Sequence, residues 1–183
     1  MGEQAGALVS TLQSNTEKRL LIQSIVITIP PQQGQDDSEQ IPAHRYLRKL
    51  FHKNLPALQD VCLLTSTFMS AMTYMKDCLR GKISLRRITI ICHGPCIAMS
   101  TSYVWSILKS FPEIEEFRFK FTGTDGVKQE TVRTVPARLH LSKTTLLSIS
   151  GIVIDDETVE ELCYRCPNLK EMEVNGENRF CAI

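Results

Sequence analysis

Two pairs of closely spaced cysteines are the residues in this sequence whose types and spacing could carry chemistry. Cys92 and Cys96 flank a His-Gly-Pro segment, and Cys163 and Cys166 are separated by two residues. Four cysteine sulfurs can hold a zinc ion in a tetrahedral site, and a thiolate activated by a neighbouring base can act as a nucleophile. The two pairs therefore raise the hypothesis of a thiol- or zinc-dependent enzyme.

The elements predicted around these cysteines argue against that chemistry. Cys163 and Cys166 fall on the apolar face of a predicted helix, where free cysteine packs as a small hydrophobic side chain. Cys92 and His93 are adjacent on a predicted strand, and neighbouring strand residues point to opposite faces. The two pairs also belong to different predicted repeats. We therefore predict a protein that is not an enzyme and has no catalytic residue, metal ion or cofactor.

Composition and charge exclude several classes of partner. The formal net charge is +1, which gives no overall attraction to nucleic acid or to an acidic membrane surface. No apolar stretch approaches the roughly 18 residues of a transmembrane helix, and residues 1–13 do not resemble a secretory signal. The chain has seven cysteines, an odd number. We expect reduced thiols and a location in the cytoplasm or nucleus.

A pattern that recurs along the whole chain predicts how these residues are positioned. Pro56, Pro112 and Pro167 each begin the pattern Pro-x-apolar-x-x-apolar-x-apolar. The intervals between them, 56 and 55 residues, correspond to two repeats of about 28 residues each, within the range of leucine-rich repeats. The positions midway between the prolines carry a similar pattern without proline. At one of them, Thr144 fills the first apolar position only weakly.

The middle apolar residue of each copy serves as a marker for the repeats. The markers predict about six repeats in one array covering residues 1–183, and they lie at residues 25, 61, 88, 117, 147 and 172. The first interval is longer than the others and contains 31–40, which we interpret as an inserted surface loop. Residues 122–136 are interpreted as a second inserted loop.

Between the markers the apolar residues change to a helical period. The stripes at helical spacing begin at Ala43, Phe68, Met99 and Val159, and the third of them continues through Tyr103, Val104, Ile107, Leu108 and Phe111. Asp155, Asp156 and Glu157 suit the N-terminus of the fourth helix. Strands that alternate with helices in short units indicate an α/β fold with parallel strands. A compact doubly wound sheet is the alternative fold.

One segment resembles a known subtype of repeat. Ser150 to Asp156, followed by Val159 to Leu162 and Cys166 to Met172, is similar to the cysteine-containing leucine-rich repeat. That pattern is apolar-x-apolar-x-x-(Cys/Gly)-x-x-Ile-(Thr/Asp)-Asp, followed by a helix that ends in Cys-Pro-x-Leu. The resemblance is specific for residues 144–176, looser for 55–123 and weak for 19–54. It implies a solenoid with strands on the concave face and helices on the convex face.

This subtype is common in the substrate-binding part of F-box/leucine-rich-repeat proteins, the specificity subunits of cullin-based ubiquitin ligases. The resemblance therefore implies a non-catalytic protein-protein interaction module that recognises ligase substrates. No segment of the chain resembles an F-box, so the cullin-ligase adaptor is a partner only if an F-box exists outside this chain. The consensus Asn or Cys after the strand is also replaced in most copies.

In such a repeat the residues between the strand leucines point outward on the concave face and would contact a protein partner. They are Val26, Asp60, Cys62, Arg87, Thr89, Glu116, Arg118, Lys120, Glu171 and Glu173. Both signs of charge occur among them, which suits a polypeptide partner that also carries both signs. The loops at 30–40 and 122–136 are further candidate contacts.

Overall fold

The computed structural model describes residues 14–29, 55–65, 79, 84–93, 102–122, 135–152, 154–174 and 177–179. Within these residues the chain forms three helices, α1 (Thr16–Leu20), α2 (Ser102–Ser110) and α3 (Asp156–Arg165). The same residues form one sheet of seven strands, β1 (Ser24–Ile29), β2 (Asp60–Thr65), β3 (Arg87–Cys92), β4 (Glu116–Phe121), β5 (Leu146–Ser150), β6 (Glu171–Val174) and β7 (Glu177–Arg179).

Strands β1 to β6 run parallel, and each pairs with the strand that follows it in the sequence. Strand β7 pairs antiparallel with β6. The predicted α/β fold with a parallel sheet is therefore confirmed. The six predicted markers lie opposite one another in a single row across the sheet, namely Ile25, Val61, Ile88, Phe117, Leu147 and Met172.

The marker row and a second apolar row form the centre of the core. The second row consists of Ile27, Leu63, Ile90, Phe119, Ile149 and Val174. From β2 to β6, every residue in these two rows is at most 2% exposed. β-Branched and aromatic side chains fit a pleated surface, and each lies beside the equivalent residue of the neighbouring strand. The core therefore forms only when the strands pair in this register.

A tight turn precedes four of the parallel strands and explains the recurring proline. In each turn the backbone N–H of the fourth residue donates to the carbonyl of the first: Leu58 to Leu55, Ile114 to Phe111, Thr144 to Leu141 and Leu169 to Cys166. Pro56, Pro112 and Pro167 occupy the second position, where the fixed φ of proline suits a turn. The first and fourth residues of all four turns are buried.

Thr144 fills an apolar position of the repeat because its hydroxyl is satisfied. The side chain is fully buried, and its Oγ1 donates to the carbonyl oxygen of Ile114 at 2.8 Å. Ile114 is the equivalent residue of the preceding turn, so this bond joins two successive turns. The methyl group of Thr144 replaces part of the apolar contact that leucine or isoleucine makes elsewhere.

Helices α2 and α3 coincide with the third and fourth predicted apolar stripes. Val104, Ile107 and Leu108 are buried along α2, as is Phe111 directly after it and as are Val159 and Leu162 on α3. The side chain of Asp155 caps α3 by accepting a hydrogen bond from the N–H of Thr158 at 2.9 Å. The predicted stripe at residues 43–51 lies outside the described residues. Of the stripe at 68–79, Leu79 is described and is buried.

Gly151, which follows β5, has a positive φ of 81°. A Cβ at this position would collide with the backbone carbonyl of Phe121 on the preceding strand. Glycine is therefore required here both by the left-handed backbone and by the close approach of the two chain segments. It reverses the chain direction directly after β5.

Replacing Thr144 with valine should lower the free energy of unfolding by about 1–3 kcal/mol, because the buried carbonyl of Ile114 would lose its donor. Urea denaturation of the two proteins measures the difference. Thr145→Val is the matched control, since its longer 3.3 Å bond goes to the carbonyl of Glu115, which also accepts backbone N–H groups. Equal stabilities of wild type and Thr144→Val would contradict this role.

Candidate functional site

The ten residues predicted to contact a partner all lie on the face of the sheet opposite the two buried rows, here called the outer face. All ten side chains are half-buried or exposed. The register places them in three rows across the strands. The first row contains Asp60, Arg87, Glu116 and Glu171, the second Val26, Cys62, Thr89, Arg118 and Glu173, and the third Lys120.

Asp60 and Arg87 neutralise each other on adjacent strands of the outer face. The Nε and Nη2 atoms of Arg87 donate to the two carboxylate oxygens of Asp60 at 2.5 and 2.6 Å. This hydrogen bonding, together with the negative charge of Asp60, raises the pKa of Arg87 above its ordinary value. The guanidinium is held in a fixed orientation by a two-pronged contact. Its charge is therefore largely engaged within the protein.

Strand β4 carries the positive charges that remain available. Arg118 approaches a carboxylate oxygen of Glu116 only at 3.9 Å, and Lys120 forms no ion pair with any residue in the described ranges. Both cationic side chains are exposed. Two exposed cations thus lie at alternate positions of one strand.

Strand β6 carries the opposite charge. Glu171 is exposed and forms no ion pair with other described residues, while Glu173 accepts a 2.7 Å hydrogen bond from the hydroxyl of Ser148. Strand β5 lies between β4 and β6 and presents Leu146, Ser148 and Ser150 without charge. Two strand spacings separate the cations from the anions by at least about 10 Å, too far for direct ion pairs, and Glu171 is also offset along the strand from both cations.

The part of the outer face on β1 to β3 also carries apolar side chains. Val26 is 66% exposed, and Cys62, Leu64 and Ile91 are half-buried. Burial raises the pKa of the Cys62 thiol, so this thiol is neutral near pH 7. Sequence reasoning missed Leu64 and Ile91 as outer-face residues because their apolar side chains resemble core residues. Leu64 and Ile91 lie three positions after the markers Val61 and Ile88, and an odd offset from a marker places a strand residue on the outer face. This spacing is the signal that could have identified them.

The residues of the enzyme hypothesis are not assembled into a site within the described part of the chain. Cys92 is buried and His93 is exposed, with Nδ1 of His93 2.6 Å from the Thr122 hydroxyl. The two side chains therefore differ in burial, and His93 lies one residue beyond the end of β3. In the described ranges no group of three or more His, Cys, Asp or Glu side chains is placed to hold a metal ion. Cys96 lies outside those ranges.

The two cysteines of the second pair, Cys163 and Cys166, differ in their bonding state. Cys166 is a free, fully buried thiol, and burial raises its pKa to about 12. A neutral thiol is a poor nucleophile and a poor metal ligand. Cys163 is disulfide-bonded, so the expectation of reduced cysteines is wrong at this position. Its bonding partner is not Cys166, because Cys166 is free.

Comparison of this chain with models of protein families, with curated proteins and with solved structures found no match. No helix in the described residues has the length and apolar character needed to cross a membrane.

Cys166 should resist alkylation by iodoacetamide in the native protein at pH 7, because its thiol is buried and almost entirely protonated. The half-buried Cys62 serves as the internal comparison and should react faster. Mass spectrometry of the digested protein after timed labelling measures both rates in one sample. Labelling of Cys166 at the rate of Cys62 without unfolding would contradict the burial described above.

The same thiol should make stability depend on pH in alkaline solution. Below its ordinary pKa of 9.0 the thiol is neutral in the folded and the unfolded chain, so its contribution is constant. Between about pH 9 and 12 the unfolded chain loses this proton first, and the free energy of unfolding should fall. Cys166→Ala should reduce the slope of that decrease in urea denaturation measured at several pH values.

Proposed function

We propose that the chain is a leucine-rich-repeat solenoid and a non-catalytic interaction module that binds another protein across its outer face. The observation that carries the proposal is the single register in which all six markers oppose one another. Equivalent residues of successive units meet only when each unit stacks directly on the one before it.

The strand order supports the repeat interpretation over the doubly wound alternative. A doubly wound sheet contains a point at which the strand order reverses, whereas β1 to β6 are neighbours in strict sequence order. From β2 to β6 the first residues of successive strands are 27, 29, 30 and 25 positions apart. Such short and regular intervals favour stacked repeats. Four of the strands also follow the same buried turn.

The charges of the outer face support a polypeptide as the partner. Lys120 on β4 and Glu171 on β6 form no ion pair with other described residues, and Arg118 has only a long contact of 3.9 Å with Glu116. A partner with an acidic and a basic side chain at least about 10 Å apart could engage both strands at once. Charge pairs of this kind fix the register of binding and accelerate association more than they increase affinity.

The repeat subtype also suggests a more specific role, as the substrate-recognition array of an F-box-like ubiquitin-ligase subunit. This role rests on the similarity of residues 144–176 to the cysteine-containing repeat. It requires an F-box outside this chain, and it is tested by pull-down of the cullin-ligase adaptor with the full-length natural protein. Adaptor binding by the full-length protein but not by residues 1–183 is the expected result. No binding by either would leave a plain interaction scaffold.

A photo-crosslinking amino acid at Lys120 should capture the partner in cell extract, whereas the same residue at Tyr164 should not. Tyr164 is 84% exposed on α3 and therefore controls for accessibility away from the outer face. Mass spectrometry of the crosslinked product identifies the partner. Equal capture at both positions would contradict binding through the outer face.

Once the partner is identified, its binding can be measured directly. Arg118→Glu should weaken this binding by about tenfold, equivalent to about 1.4 kcal/mol, mainly by slowing association. Its melting temperature should stay close to that of wild type because Arg118 is exposed. Phe117→Ala, one position away on the buried face, should instead cost roughly 3–5 kcal/mol of stability. Unchanged affinity of Arg118→Glu in surface plasmon resonance would remove β4 from the interface.

A further inference from the structure

The β1 edge of the sheet is incompletely covered. Ile25 and Ile27 are half-buried, although they continue the two rows that are at most 2% exposed from β2 to β6. Three of the four exposed large hydrophobic residues in the described part of the chain also lie in or just before β1. They are Leu20, Leu21 and Val26. Among the described residues, exposed apolar side chains therefore concentrate at the β1 end of the sheet.

The sequence of β1 lacks the features that normally keep a sheet edge from pairing. Edge strands are usually protected by charged side chains, proline or a bulge, yet β1 has the sequence Ser-Ile-Val-Ile-Thr-Ile. The interior strands β2, β3, β4 and β6 do carry charges on the outer face, where pairing is already complete. At the opposite end, β6 is followed by the short antiparallel strand β7. The β1 edge is therefore suited to pairing with a further strand.

The backbone direction of β1 follows from its contact with β2. The carbonyl of Gln23 accepts a hydrogen bond from the N–H of Asp60 at 2.9 Å, so alternate residues from Gln23 onward point toward β2. The intervening residues Ser24, Val26 and Thr28 therefore direct their N–H and C=O groups toward the free side. In the described residues no strand occupies that side.

We propose that β1 pairs antiparallel with β1 of a second copy of this chain, with Val26 on the twofold axis. In this register Ser24 opposes Thr28 of the other copy and Val26 opposes Val26, so every N–H and C=O on the free side gains a partner. On the buried face, Ile25 opposes Ile27 of the other copy in close contact. Centring the pair on Ile27 instead would leave Ser24 unpaired.

The composition of the strand identifies a second copy as the occupant. A twofold edge contact places the same surface on both sides and must be self-complementary. β1 meets this requirement because apolar residues oppose apolar residues, hydroxyls oppose hydroxyls, and no charge opposes its like. The two sheets would become continuous and present both outer faces on the same side. This dimer does not depend on the proposed partner-binding function, although it would make binding bivalent.

Sedimentation equilibrium of the whole chain should show a dimer for the wild type. Val26→Lys should raise the dimer dissociation constant by about tenfold or more, because two lysines would oppose each other at the axis. Val26→Glu should do the same. An equimolar mixture of the two variants should restore the dimer, since lysine would then oppose glutamate. Thr89→Lys, in the same row on interior strand β3, is the control and should remain dimeric.

Restoration by mixing also establishes that each variant is folded, and circular dichroism of each alone provides a second check. A monomeric wild type would overturn the proposal and leave the edge to a strand of another polypeptide. A dimer that survives Val26→Lys would place the contact elsewhere on the molecule. Failure of the mixture to dimerise would overturn the register centred on Val26. None of these results bears on the crosslinking experiment, so the two proposals fail independently.

Discussion

The structure depends on apolar contact between equivalent residues of neighbouring parallel strands. Because the strands share one register, the side chain at each buried position lies beside its counterparts on both sides, as Phe117 lies between Ile88 and Leu147. Full burial of such a side chain is worth about 1.5–3 kcal/mol, but only while both neighbours are in place. Stability is therefore shared along the row, and no single unit can retain it alone. Ile25 and Ile27 are only half-buried, on the one parallel strand that has a paired strand on a single side among the described residues.

The hydrogen bonds of polar groups near the core also recur from one strand to the next. The carbonyls of Gln59, Arg86 and Glu115 each accept two consecutive N–H groups from the start of the next strand. The Thr144 hydroxyl extends the pattern by binding the turn before it. Each unit thus satisfies backbone groups of its predecessor, which adds directional hydrogen bonds to a non-directional apolar contact. Hydrogen bonds between units contribute less energy than the apolar rows, but they penalise any slip in register because a buried acceptor would be left unpaired.

The marker row and the α2 and α3 stripes could be predicted because they depend on local spacing, which is visible in one sequence. The ion pairs of the outer face could not be predicted in this way. Whether Arg87 binds Asp60 or Glu116 depends on side-chain rotamers, since both lie in the same row on adjacent strands. Strand β7 was also missed, because its Glu-Asn-Arg sequence lacks the alternation that marks a half-buried strand. Trp105 was absent from the predicted stripe although it is buried; its indole Nε1 has no hydrogen-bond partner in the described residues, which sequence gives no reason to expect.

The repeat leaves the outer face chemically unconstrained, since the core uses only alternate strand positions. Whether a charged side chain at one of the other positions is neutralised then depends on its distance from an opposite charge. Asp60 and Arg87 are one strand apart and neutralise each other, whereas the cations of β4 and the anions of β6 are two strands apart. At about 10 Å the separation exceeds the screening length of about 8 Å at physiological salt. The two groups therefore attract each other only weakly across the face, and each stays available to a charge supplied from outside. One uncharged strand, β5, is what keeps them apart.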